Sequence, residues 1–139
     1  MQQSPLKRSA GMLAVDTNII VRYMTGDEPR QAARARAIIE RQTVFVATTV
    51  LLETEWVLRS AYGFEPSQLK DALTAFCGLP TVSLQNAAHV AAALRWMQGG
   101  LDFADALHLA AAEDCEGFAS FDGEFVKRAR KIGAAAQSA

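Results

Sequence analysis

Cysteine is scarce in this chain, and so is any excess of positive charge. The two cysteines, Cys77 and Cys115, lie far apart with no Cys or His beside them at metal-ligand spacing, which argues against a thiolate metal site. Both read as small buried hydrophobes within helices, as free cysteines usually are. Formal net charge is −1, so the protein does not hold nucleic acid by bulk positive potential, and any such contact must be local. Long apolar runs are missing too: charge interrupts every one well before the ~20 residues that span a bilayer. No basic, apolar, small-residue leader opens the sequence, and the expected location is cytoplasmic.

What is present is an ordinary globular composition, half hydrophobic and about a fifth charged. A chain of 139 residues suits one domain, burying roughly two thirds of its unfolded surface. Residues 1–11 are polar, carry Pro5 and Gly11, and read as a flexible tail. The domain is expected over residues 12–133, and the Ala-rich residues 134–139 as a disordered tail.

Between those bounds one grammar repeats. The apolar run Met12 to Val15 predicts a buried strand, and Asp16-Thr17-Asn18 then offers caps for a short helix stopped by Gly26. Asp27-Glu28-Pro29 opens a helix to about Gln42; Val44 to Ala47 is a second strand; Thr48-Thr49 caps a helix over Val50 to Tyr62. Pro66 begins a helix, Thr81 to Leu84 is a third strand, and Asn86 caps a helix ending at Gly99-Gly100. Phe103 to about Cys115 forms another helix, Phe118 to Phe121 a fourth strand, and Glu124 to Lys131 a basic last helix. Strands alternating with helices predict a three-layer α/β/α sandwich around a parallel sheet of four to five strands.

In such sheets chemistry sits beyond the carboxyl ends of the strands. Asp16 and Asp122 each follow an apolar strand directly. Glu53 lies in the first turn of the helix after the second strand, and Asp102 and Asp105 flank the start of another helix at i, i+3. Gathered carboxylates repel unless they share protons or a cation. Mg²⁺ and Mn²⁺ take oxygen ligands, and can activate water and stabilise both oxygens of an in-line displacement at a phosphodiester. Singly, Asp16, Asp102 and Asp122 read more readily as helix caps than as ligands. Glu53 and Asp105 are set among apolar neighbours, where an unpartnered acid is costly, and so favour a shared cation.

The segments VDTNIIVRYM, TTVLLETEWVLRSAYG, GLDFADALHLAAA and FASFD, in that order and spacing, resemble the PIN-domain nucleases, and among them the VapC-type toxins of bacterial type II toxin–antitoxin modules. The resemblance spans about Met12 to Lys131. It implies Mg²⁺- or Mn²⁺-dependent RNA cleavage, a cognate antitoxin and a homodimer. The four acids of the family match Asp16, Glu53, Asp105 and Asp122, with Asp102 as an additional ligand; Asn18, Thr49 and Ser120 match supporting polar positions. The final apolar strand customary in the family is replaced here by Ile132-Gly133 and alanines.

Glu55, two residues from Glu53, reads as a solvated or salt-bridged acid, and His108, His89, Trp56 and Trp96 as packed side chains. Arg22, Lys127 and Arg128 follow closely on candidate acids and are the expected RNA-binding cations. Two rival functions stand beside the ribonuclease: a catalytically inactive PIN-like module that binds RNA or protein, and phosphoryl transfer through an aspartyl intermediate at Asp16. The second typically needs an Asp two residues on, where this chain has Asn18.

Overall fold

Short β-branched and apolar runs, each closed by a residue that favours a helix start, make strand and helix alternate along the chain. In the computed structural model, which describes residues 11–139, the order is β1 (Met12–Ala14), α1 (Thr17–Thr25), α2 (Pro29–Arg41), β2 (Thr43–Val46), α3 (Thr48–Ser60) and α4 (Pro66–Cys77). It continues with β3 (Val82–Leu84), α5 (Ala87–Met97), α6 (Phe103–Ala111), β4 (Phe118–Ser120), α7 (Gly123–Lys131) and β5 (Ala136–Ser138). The N-terminal tail expected over residues 1–11 lies outside the described residues except for Gly11.

All strand pairings are parallel, as the α/β/α architecture requires. Hydrogen bonding divides the strands into a three-stranded sheet in the order β1-β2-β3 and a two-stranded sheet β4-β5. Leu13 registers with Val44 and Val44 with Val82, so β2 is central and β1 an edge. That corrects the expectation of a buried first strand: Met12, Leu13 and Ala14 are all exposed, and burial begins only at Val15. Side-chain packing joins what the ladders separate. One core cluster runs from Val15 and Ile20 through Val44, Val46, Leu51, Leu73 and Phe103 to Phe125, Val126 and Ala129.

The chain end departs most from expectation. Residues 134–139 do not form a featureless tail: Ala136–Ser138 is β5, paired with β4, and Ala136 is buried. The Phe118 N–H donates to the Ala135 carbonyl at 2.8 Å and the Ala139 N–H to the Ser120 carbonyl at 2.9 Å. A strand needs only backbone partners and one inward side chain, and alanine, poor in strand propensity, is small enough to serve.

Helix boundaries followed local chemistry. Gly26, at φ +70°, closes α1, and Glu28 caps α2 by accepting from the Arg30 N–H. Thr48 and Thr49 are not caps: α3 includes both, and Ala47 precedes it without a side-chain cap. The α6 helix ends before Cys115, leaving that thiol exposed in the following turn rather than buried. Cys77 is half-buried, and burial pushes its thiol up to about 12, consistent with inert packing. No helix among the described residues is long and apolar enough to cross a membrane.

Candidate active site

Three of the five acids sit at helix N-termini, and each closes the helix it precedes. Asp16 Oδ1 accepts from the Ile19 N–H at 3.1 Å, and Asp102 Oδ1 from the Asp105 N–H at 2.8 Å. Asp122 Oδ1 accepts from the N–H groups of both Glu124 and Phe125 at 3.1 Å. The capping role and a ligating role are compatible, because every one of these caps runs to Oδ1 and a carboxylate has a second oxygen.

The other two acids differ in setting. Glu53 faces out of α3 and accepts a hydrogen bond from the Thr17 hydroxyl at 2.6 Å, a long-range bond from α1. Its apolar sequence neighbours do not surround it. The buried side of α3 carries Leu51, Thr54, Glu55 and Leu58, so Glu55, two positions on, is the acid that turns inward. Glu55 is 3% exposed and is neutralised by Arg59, whose Nε lies 2.9 Å from Oε2. Of its two expected settings, the salt bridge holds and the solvated one does not.

Asp105, half-buried on α6, is the electrostatic centre. Burial holds its carboxyl above the ordinary carboxylate range; repulsion from Asp102 adds to the rise, attraction from His108 opposes it, and Asp122 and a hydrogen bond with Asp102 raise it further. Asp102, Asp105 and Asp122 therefore share one electrostatic neighbourhood. Asp16 and Glu53 line separate hollows: Asp16 one of about 250 Å³ with Asn18, Arg22 and Arg34, and Glu53 one of about 320 Å³ with Thr49, Trp56 and Ala104. Among the described residues, no three His, Cys, Asp or Glu side chains stand together so as to hold a metal ion. The oxygen-only donor set fits a hard divalent cation by its chemistry.

The supporting residues are in part those expected. Ser120 Oγ accepts from the Asp122 N–H at 3.0 Å, fixing the backbone of that acid. Thr48, rather than Thr49, is tied down, by Asn86 at 3.2 Å and by Gln85. Thr17 was missed; its only sequence signal was its place next to Asp16. His108 is exposed rather than packed, and Trp56, at 57% exposure, is no core residue. Among the expected cations, Arg22 bonds Gln31 and Tyr62, Arg128 bonds the Gly100 carbonyl, and Lys127 is exposed on α7.

A family model described as PIN domain matches residues 13–131. No curated protein matches the chain.

Proposed function

The chain belongs to the PIN domain family, whose members are generally nucleases, and from that premise we propose that it is an Mg²⁺- or Mn²⁺-dependent endoribonuclease. The observation that carries this reading is Asp105. Its carboxyl is held above the ordinary range by burial and by Asp102 and Asp122, on a fold whose family cuts phosphodiesters. A like-charge cluster of this kind is relieved by a divalent cation.

Asp16, Glu53, Asp105 and Asp122 would hold the ion, with Asp102 assisting. When bound, it would polarise the scissile phosphate and make water a better nucleophile at neutral pH. The chain's own residues do the positioning: the Thr17 hydroxyl orients Glu53, the Ser120 hydroxyl steadies the backbone of Asp122, and the Asp102 cap fixes the first turn of the helix that carries Asp105. Among the described residues no three of these acids stand together, so ligation by all four requires them to draw closer. The placement of the acids also supports a second reading, an inactive module that binds RNA or protein. One experiment separates them: RNA incubated with the protein and Mg²⁺ or Mn²⁺ is cleaved, cleavage stops with EDTA, and Asp105→Asn abolishes it. Cleavage indifferent to EDTA, or retained in that variant, defeats the metal-dependent reading.

Resemblance to VapC-type toxins supports a finer proposal, that the protein is the toxin of a toxin–antitoxin pair, acts as a homodimer and binds a cognate antitoxin. Leu13, Trp56 and Phe121 are exposed large apolar side chains of the sort that partners cover. Growth arrest on expression, relieved by the product of an adjacent reading frame, is the expected result.

A further inference from the structure

An acidic site that cuts RNA repels its own substrate, so a cation must hold the phosphates close to the acids. Arg22 and Arg128 are committed to protein groups: Arg22 to Gln31, Tyr62 and, at 4.0 Å, Asp27; Arg128 to Gly100 and Glu124. Lys127 is exposed on α7 and carries an ammonium, a point charge rather than a planar fork. Arg59 is placed differently. It lines two neighbouring cavities, one of about 510 Å³ that includes Asp102 and one of about 320 Å³ that includes Glu53 and Trp56. Its side chain is 48% exposed while that of Glu55, its partner, is 4% exposed.

An i, i+4 Glu–Arg pair on a helix surface is an ordinary and weak stabiliser. Here the acid lies buried beneath the guanidinium, an expensive arrangement whose gain is a fixed orientation. Nε donates to Glu55 Oε2 at 2.9 Å and Nη2 to Oε1 at 3.4 Å, which leaves both Nη1 hydrogens and the second Nη2 hydrogen, and so the outward Nη1–Nη2 edge, for a ligand. Asp102 also acts on the charge of Arg59, so the guanidinium stands within electrostatic reach of that acid as well. Beside it, the exposed Trp56 ring offers a stacking face to an unpaired base.

We propose that Arg59, clamped by buried Glu55, is a phosphate-positioning residue that takes the backbone of single-stranded RNA at the junction of the two cavities, between Glu53 and Asp102. It rests on the ribonuclease reading. A guanidinium presented in a fixed fork matches two phosphate oxygens, which a mobile lysine does not.

Binding of a fluorescent single-stranded RNA oligonucleotide to Asp105→Asn with Mg²⁺ provides the test, compared with Asp105→Asn/Arg59→Gln across a salt series. Loss of Arg59 is expected to weaken binding on the order of tenfold and to reduce the slope of log affinity against log salt by about 0.7, the value for one phosphate of a single strand. Arg59→Lys should keep the slope and lose part of the affinity. A folded Arg59→Gln variant with unchanged affinity and slope overturns the proposal. If that variant unfolds because Glu55 is left unpaired, the doubly neutral Glu55→Gln/Arg59→Gln protein decides by the same slope. Wild-type protein that cleaves RNA while the slope is indifferent to Arg59 sinks this assignment alone. Wild-type protein that neither binds nor cleaves RNA sinks the ribonuclease reading and this proposal together. Loss of affinity for a protein partner but not for RNA reassigns the residue and overturns the RNA role.

Discussion

Asp105 is the residue on which the proposed chemistry turns, and its electrostatics give a pH signature. Its folded-state carboxyl is raised above the ordinary value of 3.8, so the stability it contributes is fully present below that value and is lost as pH rises through the raised one. At neutral pH the ionised group is a liability. Asp105→Asn is therefore expected to raise Tm in EDTA at pH 7, with the advantage over wild type shrinking as pH falls toward 4. Adding Mg²⁺ or Mn²⁺ should stabilise the wild type, by about 2.7 kcal/mol at a hundredfold excess over Kd, and leave the variant almost unmoved. Thermal melts with and without the ion check both signs. Thr17→Val, which removes the hydroxyl that holds Glu53, should lower the cleavage rate roughly tenfold, about 1.4 kcal/mol. Its Tm should change little, because valine keeps the shape of threonine at the buried position 17 and the exposed Glu53 carboxylate can bond to water instead. The same pair marks a limit of local reading: apolar neighbours on the chain made Glu53 look buried, whereas the helical repeat of Leu51, Glu55 and Leu58 buries Glu55 instead.

At the scale of elements, short polar signals placed most helix starts well. Asp16, Asp102 and Asp122 cap α1, α6 and α7 as their sequence positions suggest, and Asp122→Ala should cost about 1 kcal/mol in metal-free denaturant unfolding from the cap alone. Thr48-Thr49 misled because a capping residue type is also tolerated inside the first turn, and Asn86 engages the Thr48 hydroxyl from a distant segment. The β5 strand was illegible for a different reason: its residues have little strand propensity, and only the open edge of β4 selects them. Truncation after Gly133 leaves the Phe118 N–H and the Ser120 carbonyl without their partners. It should destabilise the protein by roughly 1–3 kcal/mol. Hydrogen exchange should speed up across β4, next to Asp122; unchanged protection there would show that β5 adds nothing.

For the whole molecule, the parallel α/β/α architecture was legible and the division of its strands was not. Val15 and Phe125 belong to one core although β1 and β4 belong to different sheets. The exposure of Leu13 at 45% and Phe121 at 91% leaves large apolar side chains on the surface of the single chain. If a second copy covers them, Tm rises with protein concentration, and light scattering after size exclusion gives twice the chain mass; a concentration-independent Tm and a single-chain mass would rule the homodimer out.

The sequence by itself determined the order of strands and helices as far as α7, the oxygen-only character of the candidate ligands, and the acids that follow strands or begin helices. These follow from spacing and residue type within a few positions, where propensity, capping and periodicity operate. The tertiary structure alone decided that Thr17 holds Glu53 across 36 residues, that Asp102 and Asp122 both act on the charge of Asp105, and that the five strands of the described residues divide three and two. Each of those depends on which distant segments pack together, and local spacing carries no information about that.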